Sequence, residues 1–205
     1  EAFYAANPNG PMLMTGFNRR FSPAAVAAQA AMKDRTSPMI VNYRMNAGYI
    51  PSDHWVHGPH GGGRNVGEAC HIYDLFNALT GSQPVDVHAC TIVPTSDHWR
   101  RDDNFVATVR YADGSVCTLT YTSMGAKSFP KERADIFVDG KVLVLDDYKQ
   151  LTVTGGKGGW KGLTIEKGQL EELKALAEAF KPNGQWPISL ADQLSATRVS
   201  YAVQR

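Results

Sequence analysis

Between His54 and Asp74 the chain concentrates side chains that exchange protons or hold polar ligands: His54, Trp55, His57, His60, Arg64, Glu68, His71 and Asp74. Gly61-Gly62-Gly63 lies among them, and residues without a Cβ let backbone come close to a ligand. Glu68 and His71 are three apart and Asp74 follows three later, which places all three on one face of a helix. Imidazole exchanges a proton near neutral pH, and a nearby carboxylate can orient it or balance its charge. That combination suits oxidation of a secondary alcohol, where a base takes the hydroxyl proton as hydride leaves carbon. Spacing leaves two other readings open. One is a glycine hinge before a helix whose histidine is merely satisfied by hydrogen bonds. The other is a metal-dependent enzyme, since His54, His57, His60, Glu68 and His71 are ligand types. Di-metal bundles built on Glu-x-x-His need a second such motif and two more carboxylates, which the chain lacks, so no metal ligand is assigned.

The elements that must position these residues follow from turn formers and periodicity. A helix begins within Asn65–Glu68 and runs to Leu79, stopped by Gly81. It is preceded by a glycine- and proline-rich loop over 47–63 and, before that, by a strand from Met39 to Asn46. Upstream, Met12–Phe17 reads as a short buried strand, and Ser22-Pro23 as N-cap and first residue of an alanine-rich helix reaching Met32. Downstream, strands are expected over Val85–Val93, Phe105–Tyr111, Ser115–Thr122, Asp135–Val138, Val142–Leu145 and Leu151–Thr154. Asp113-Gly114 and Asp139-Gly140 supply hairpin turns. Leucines at 170, 173 and 176 give Gln169–Phe180 the spacing of an amphipathic helix, and Ser189 caps a last helix through Val203. Strands grouped together, with helices grouped after them, predict an α+β two-layer fold. It is a large, mostly antiparallel open-faced sheet with helices on one face, rather than a doubly wound domain.

Composition narrows the partners. A net charge of +1 provides no field that would draw the chain to nucleic acid or a membrane. No apolar run is long enough to span a bilayer, and the first residues lack the pattern of a secretion signal. Cys70, Cys90 and Cys117 are odd in number and widely spaced, which fits buried thiols in a reducing cytoplasm.

Several stretches together resemble one family. Gly16-Phe17-Asn18-Arg19-Arg20-Phe21-Ser22-Pro23, Tyr43-Arg44-Met45-Asn46-Ala47-Gly48, His54-Trp55 and Gly61 through Asp74 are similar to the Gfo/Idh/MocA oxidoreductases. Phe129-Pro130-Lys131-Glu132-Arg133 and Leu145-Asp146-Asp147-Tyr148 match a branch found in polysaccharide gene clusters. The resemblance implies an amino-terminal Rossmann domain that binds NAD or NADP. It makes residues 1–36 the end of that domain with a connecting helix, and Met12–Phe17 its last strand. Residues 37–205 become a substrate-binding and oligomerisation domain like the C-terminal domain of glyceraldehyde-3-phosphate dehydrogenase. The sheet would mediate homo-oligomer formation, and the substrate would be a sugar, nucleotide sugar or cyclitol.

In this reading His71 aligns with the catalytic histidine, and Asn18 and Arg19 lie by the cofactor cleft. Many relatives carry aspartate four residues before the histidine; here that position is Gly67, and Glu68 offers a carboxylate one residue over. Arg44, Asn46, His54, Trp55, Arg64, Lys131 and Asp74 are candidate contacts to a hydroxyl-rich substrate, with Asp74 alternatively a structural acceptor. Neither Gly61–Gly63 nor Gly155–Gly159 completes G-x-G-x-x-G between a strand and a helix, and no Glu-Lys-Pro motif is present. The fragment is therefore expected to bind no nicotinamide nucleotide and to be inactive alone. The alternative from another class is a non-catalytic oligomerisation module.

Overall fold

A computed structural model describes residues 1–204. Eight strands form one sheet in the order β2-β3-β4-β1-β5-β6-β7-β8. They are β1 (Ile40–Asn46), β2 (Pro84–Thr91), β3 (Phe105–Tyr111), β4 (Val116–Thr122), β5 (Glu132–Val138), β6 (Lys141–Asp146), β7 (Gln150–Thr154) and β8 (Trp160–Lys161). Every neighbouring pair is antiparallel except β1 with β4. Hairpin chemistry explains the antiparallel runs. Asp139 and Gly140 both take positive φ (47° and 74°), the backbone a two-residue turn needs to follow strand twist between β5 and β6.

The two sheet faces differ. Burial alternates residue by residue along β3 and β5, so Phe105, Ala107, Val109, Ala134 and Ile136 point into the core. The helices α2 (Pro23–Met32), α3 (Cys70–Thr80) and α5 (Leu190–Gln204) belong to that side. The other face is uncovered and carries Ile40, Val106 and Phe137, with Ile40 and Phe137 paired across β1 and β5. The α+β two-layer architecture is thus as the grouping of elements predicts. Helix α3 is buried nearly all round, with Ile72, Tyr73, Leu75 and Phe76 inaccessible, because α5 and the Asn18–Phe21 turn pack along it. Ser22 caps α2 by accepting from the Ala25 N–H at 3.1 Å, as expected.

Three expectations are corrected. Met12–Phe17 is not a strand, because among the described residues no strand lies beside it; a lone extended segment has no ladder to join. Its backbone instead meets the Gln193 side chain, which accepts from Thr15 N at 2.8 Å and donates to Leu13 O at 3.0 Å. The leucine stripe of α4 (Gln169–Ala179) is not buried: Leu170 and Leu173 are exposed, and no described element covers them. Cys90 is exposed on the edge strand β2, so only Cys117 behaves as a fully buried thiol.

Candidate active site

The glycine-rich segment builds the start of α3. A Cβ at Gly61 would lie 2.3 Å from the Val56 carbonyl oxygen, and Gly62 and Gly63 have φ of 68° and 76°. Backbone crowding and positive φ therefore account for these glycines without a ligand. A π-helical turn over Asn65–Ala69 then leads into α3. At Gly67, where many relatives carry aspartate, a Cβ would meet the Gly61 carbonyl oxygen at 2.9 Å. Gly67→Asp is accordingly expected to destabilise the chain by about 1–3 kcal/mol through overpacking. Thermal unfolding measures this, and an unchanged midpoint would show that the segment gives way freely.

Glu68 lies in that π turn and His71 in the first turn of α3. The Glu68 carboxylate accepts from Lys131 Nζ at 2.7 Å, from Arg64 Nη2 at 3.1 Å and from the Tyr121 hydroxyl. Burial pushes its pKa up, but Lys131, Tyr121 and Arg64 together hold it below the usual carboxylate range. Its hydrogen-bond partners do not include His71, on which it acts only as a nearby negative charge.

His71 opens α3, edge-on to Phe17 with ring centroids 5.7 Å apart. Its Nδ1 is buried without a protein partner. Burial first, and then the positive charge of Arg19, push the imidazole down to about 4, so it is neutral at physiological pH. A neutral imidazole with a free nitrogen can accept a proton.

Beside it lies a buried charged network in which, of the sequence-based candidates, Arg19 takes part. Glu132, at the start of β5, binds Arg19 in a two-point fork at 2.9 and 3.1 Å. It also accepts from Lys167 Nζ at 2.6 Å and from the Tyr43 hydroxyl at 2.6 Å, and Tyr43 touches the Tyr148 hydroxyl at 3.0 Å. Although burial raises it, Arg19 and Lys167 hold the Glu132 carboxyl at about 2. One signal pointed there: strand alternation puts Glu132 on the face of Ala134 and Ile136, and a carboxylate on a buried face requires partners.

The remaining candidates are dispersed. Arg64 is buried, its guanidinium donating to Tyr121, Gly48 O, Ala47 O and Glu68, so it braces the loop over 47–63. Asp74 is wholly buried and forks with Arg20 at 2.6 and 2.8 Å; it is a structural acceptor, because no solvent path reaches it. Asn18 donates to Lys167 O and Arg19 grips Glu132, and both side chains are buried. Arg44 lies on the open face of β1, over the Phe129 ring at 4.4 Å, because alternation turns it away from Tyr43 and Met45. Asn46 pins the loop between β4 and β5 through Ala126 O at 2.8 Å. His54 and Trp55 are exposed, and Lys131 alone of the substrate candidates joins Glu68 with its side chain partly open to solvent. Among the described residues no group of three or more His, Cys, Asp or Glu side chains could hold a metal ion.

The family model for the GFO/IDH/MocA C-terminal domain matches residues 37–159. The chain belongs to the Gfo/Idh/MocA family. No curated protein sequence matches this Gfo/Idh/MocA domain. Solved structures share its fold. An oxidoreductase domain protein from Kribbella flavida aligns with a TM-score of 0.78 at 21% identity, over 99% of this chain and 65% of its own. UDP-N-acetylglucosamine 3-dehydrogenase from Acidithiobacillus ferrooxidans gives 0.76 at 16% identity, over 98% and 63%. An oxidoreductase from Agrobacterium radiobacter, solved with NAD+, L-tartaric acid and magnesium, gives 0.73 at 16%, over 99% and 64%. The chain spans less than two thirds of the length of these structures.

Proposed function

We propose that this chain is the substrate-binding domain of an NAD(P)-dependent dehydrogenase acting on a sugar, nucleotide sugar or cyclitol. The observation that carries the reading is His71: a neutral imidazole with an unpartnered nitrogen at the first turn of α3, flanked by two charged clusters. In this reading it takes the proton of the substrate hydroxyl. Glu68, fixed by Lys131, Arg64 and Tyr121, contributes negative charge that favours the protonated imidazole once formed. Lys131, His54 and Trp55 are the side chains still open enough to meet substrate.

In this reading the dinucleotide is held outside residues 37–205, and Asn18 and Arg19 shape the junction without touching it. The nucleotide, which supplies hydride chemistry, is assigned to a Rossmann domain preceding residues 37–205, with residues 1–36 as the end of that domain and its connection. The fragment is inactive alone in this reading. Exposed Leu163, Leu170 and Leu173 support a docking surface for the Rossmann domain, since α4 lies against the buried Asn18–Phe21 turn on the helical side. The apolar groups on the opposite sheet face support homo-oligomer formation. Three unpaired cysteines suit a cytoplasmic location, and no described helix is long and apolar enough to cross a membrane.

A pH profile of the full-length enzyme tests the reading. An ordinary histidine would lose its base function as pH falls through about 6.5. His71 should keep it until pH approaches about 4, so kcat/KM for alcohol oxidation is expected to have no histidine limb between pH 7 and 5. Loss of rate with a midpoint near 6.5, or no oxidation of any sugar, nucleotide sugar or cyclitol, would count against it.

A further inference from the structure

A polar cleft lies on the helical side near the β2–β3 edge, with Arg64 in its wall. Its volume is about 720 Å³, in the range that accepts a small molecule, and its walls include His57, Gly63, Arg100, Arg101 and Asp103. Three side-chain atoms in it are buried without a protein partner: His57 Nε2, Arg100 Nε and Asp103 Oδ1. His57 and Asp103 are nearly inaccessible, yet their closest atoms are 3.6 Å apart, too far for a hydrogen bond. Buried polar atoms are seldom left unpaired, and three in one cleft mark a place where a ligand can supply the missing partners.

The groups are held in place before any ligand arrives. Asn104, buried next to the Arg101–Asp103 turn, bonds Arg100 O at 2.9 Å and the Ser123 hydroxyl at 3.0 Å, and accepts from Ser123 N at 2.9 Å. His57 ends a short 3-10 turn closed by its N–H donating to His54 O at 2.9 Å. Their chemistry selects a ligand class. Arginine can only donate, and its fork suits carboxylate and phosphate oxygens. Arg100 and Arg101 stand together on the wall, and Arg100 Nε is the buried donor left without a partner, so an anion can take up that fork. Asp103 Oδ1 remains as an acceptor for a hydroxyl.

We propose that this cleft binds a sugar bearing an anionic group, phosphoryl or carboxylate, with the anion on Arg100 and Arg101 and a hydroxyl on Asp103. The proposal goes beyond the dehydrogenase reading: His71 is not among the walls of this cleft, and binding here needs no cofactor.

Calorimetric titration of this chain with glucuronate, glucose 1-phosphate and neutral glucose tests the proposal. At least one anion should bind about 10-fold or more tightly than glucose, and which one does so separates carboxylate from phosphoryl recognition. Arg100→Gln should weaken that anion about 10-fold, the scale of a lost hydrogen bond to a charged group. Asp103→Asn should tighten it, a gain that damage to the fold would not produce. Arg101, which is exposed, provides a variant free of folding loss, and Arg101→Gln should weaken binding about threefold. The proposal is overturned if neither anion binds, if glucose binds equally well, or if Arg100→Gln and Arg101→Gln both leave affinity unchanged. Because nucleotide is omitted, such a result leaves the dehydrogenase reading standing, and a failed hydride-transfer assay leaves the binding result standing.

Discussion

His71→Ala in the full-length enzyme is expected to lower kcat for alcohol oxidation by about 10²–10⁴-fold, the usual contribution of a positioned acid or base. The fall should appear mainly in kcat. His71 forms no hydrogen bond through Nδ1 in the unliganded protein, so its loss removes an interaction that matters when the proton moves. Stability should change by only about 1 kcal/mol, because the ring is partly open and its main packing partner is the edge of Phe17. Steady-state kinetics and thermal unfolding on the same preparation separate the two effects. His71→Asn, which keeps a polar side chain but cannot take the proton, should be as slow as alanine. Turnover within a factor of two of the parent in either variant would remove His71 from the chemistry.

Much of the architecture was legible because local rules and burial agreed. Asp113-Gly114 and Asp139-Gly140 lie between strands of matching alternation, and the structure forms both hairpins. Met12–Phe17 shows the limit of such rules: its apolar run has strand character, but strand formation is a property of a pair, and no partner lies alongside. The α4 leucines have helical spacing, which predicts a face to be covered but not what covers it.

At the site, residue type was legible and partnership was not. Spacing alone placed Glu68 beside His71 on the assumption of 3.6 residues per turn, and it could not show that Glu68 lies in a π turn with its carboxylate bonded to Lys131, Arg64 and Tyr121. Arginines read as ligand-binding turn out to be ion-paired: Arg64 with Glu68 four residues on, and Arg19 with the buried Glu132 from a distant part of the chain. Arg19 and Glu132 are separated by 113 positions, a pairing that no local pattern reveals. The resemblance could align His71 with a catalytic residue, yet the unpartnered nitrogen and the depressed basicity depend on Phe17, Arg19 and burial around it.

Glu132→Ala should unfold the domain more easily by about 3–5 kcal/mol, because it strands the Arg19 guanidinium in a site closed to water. Arg19 is 6% exposed, so it cannot turn outward to recover hydration, whereas Lys167 is more open and can. Urea unfolding at pH 7 measures the loss. The sign of its pH dependence follows from the folded carboxyl value of about 2 against an ordinary value of 4.5. A carboxyl depressed by folding stabilises fully above its unfolded pKa, and that contribution is lost as pH falls through the folded one. The parent should therefore lose stability between about pH 4.5 and 2 by an amount that Glu132→Gln does not. Removing both charges, as Arg19→Met with Glu132→Leu, should recover much of the loss, since a buried pair replaced by apolar groups is often nearly neutral. If Glu132→Ala unfolds at the parent's urea concentration, the network contributes nothing to holding the Asn18–Phe21 turn against the sheet. Arg19 would then be available to the role by the cofactor cleft that the resemblance implied.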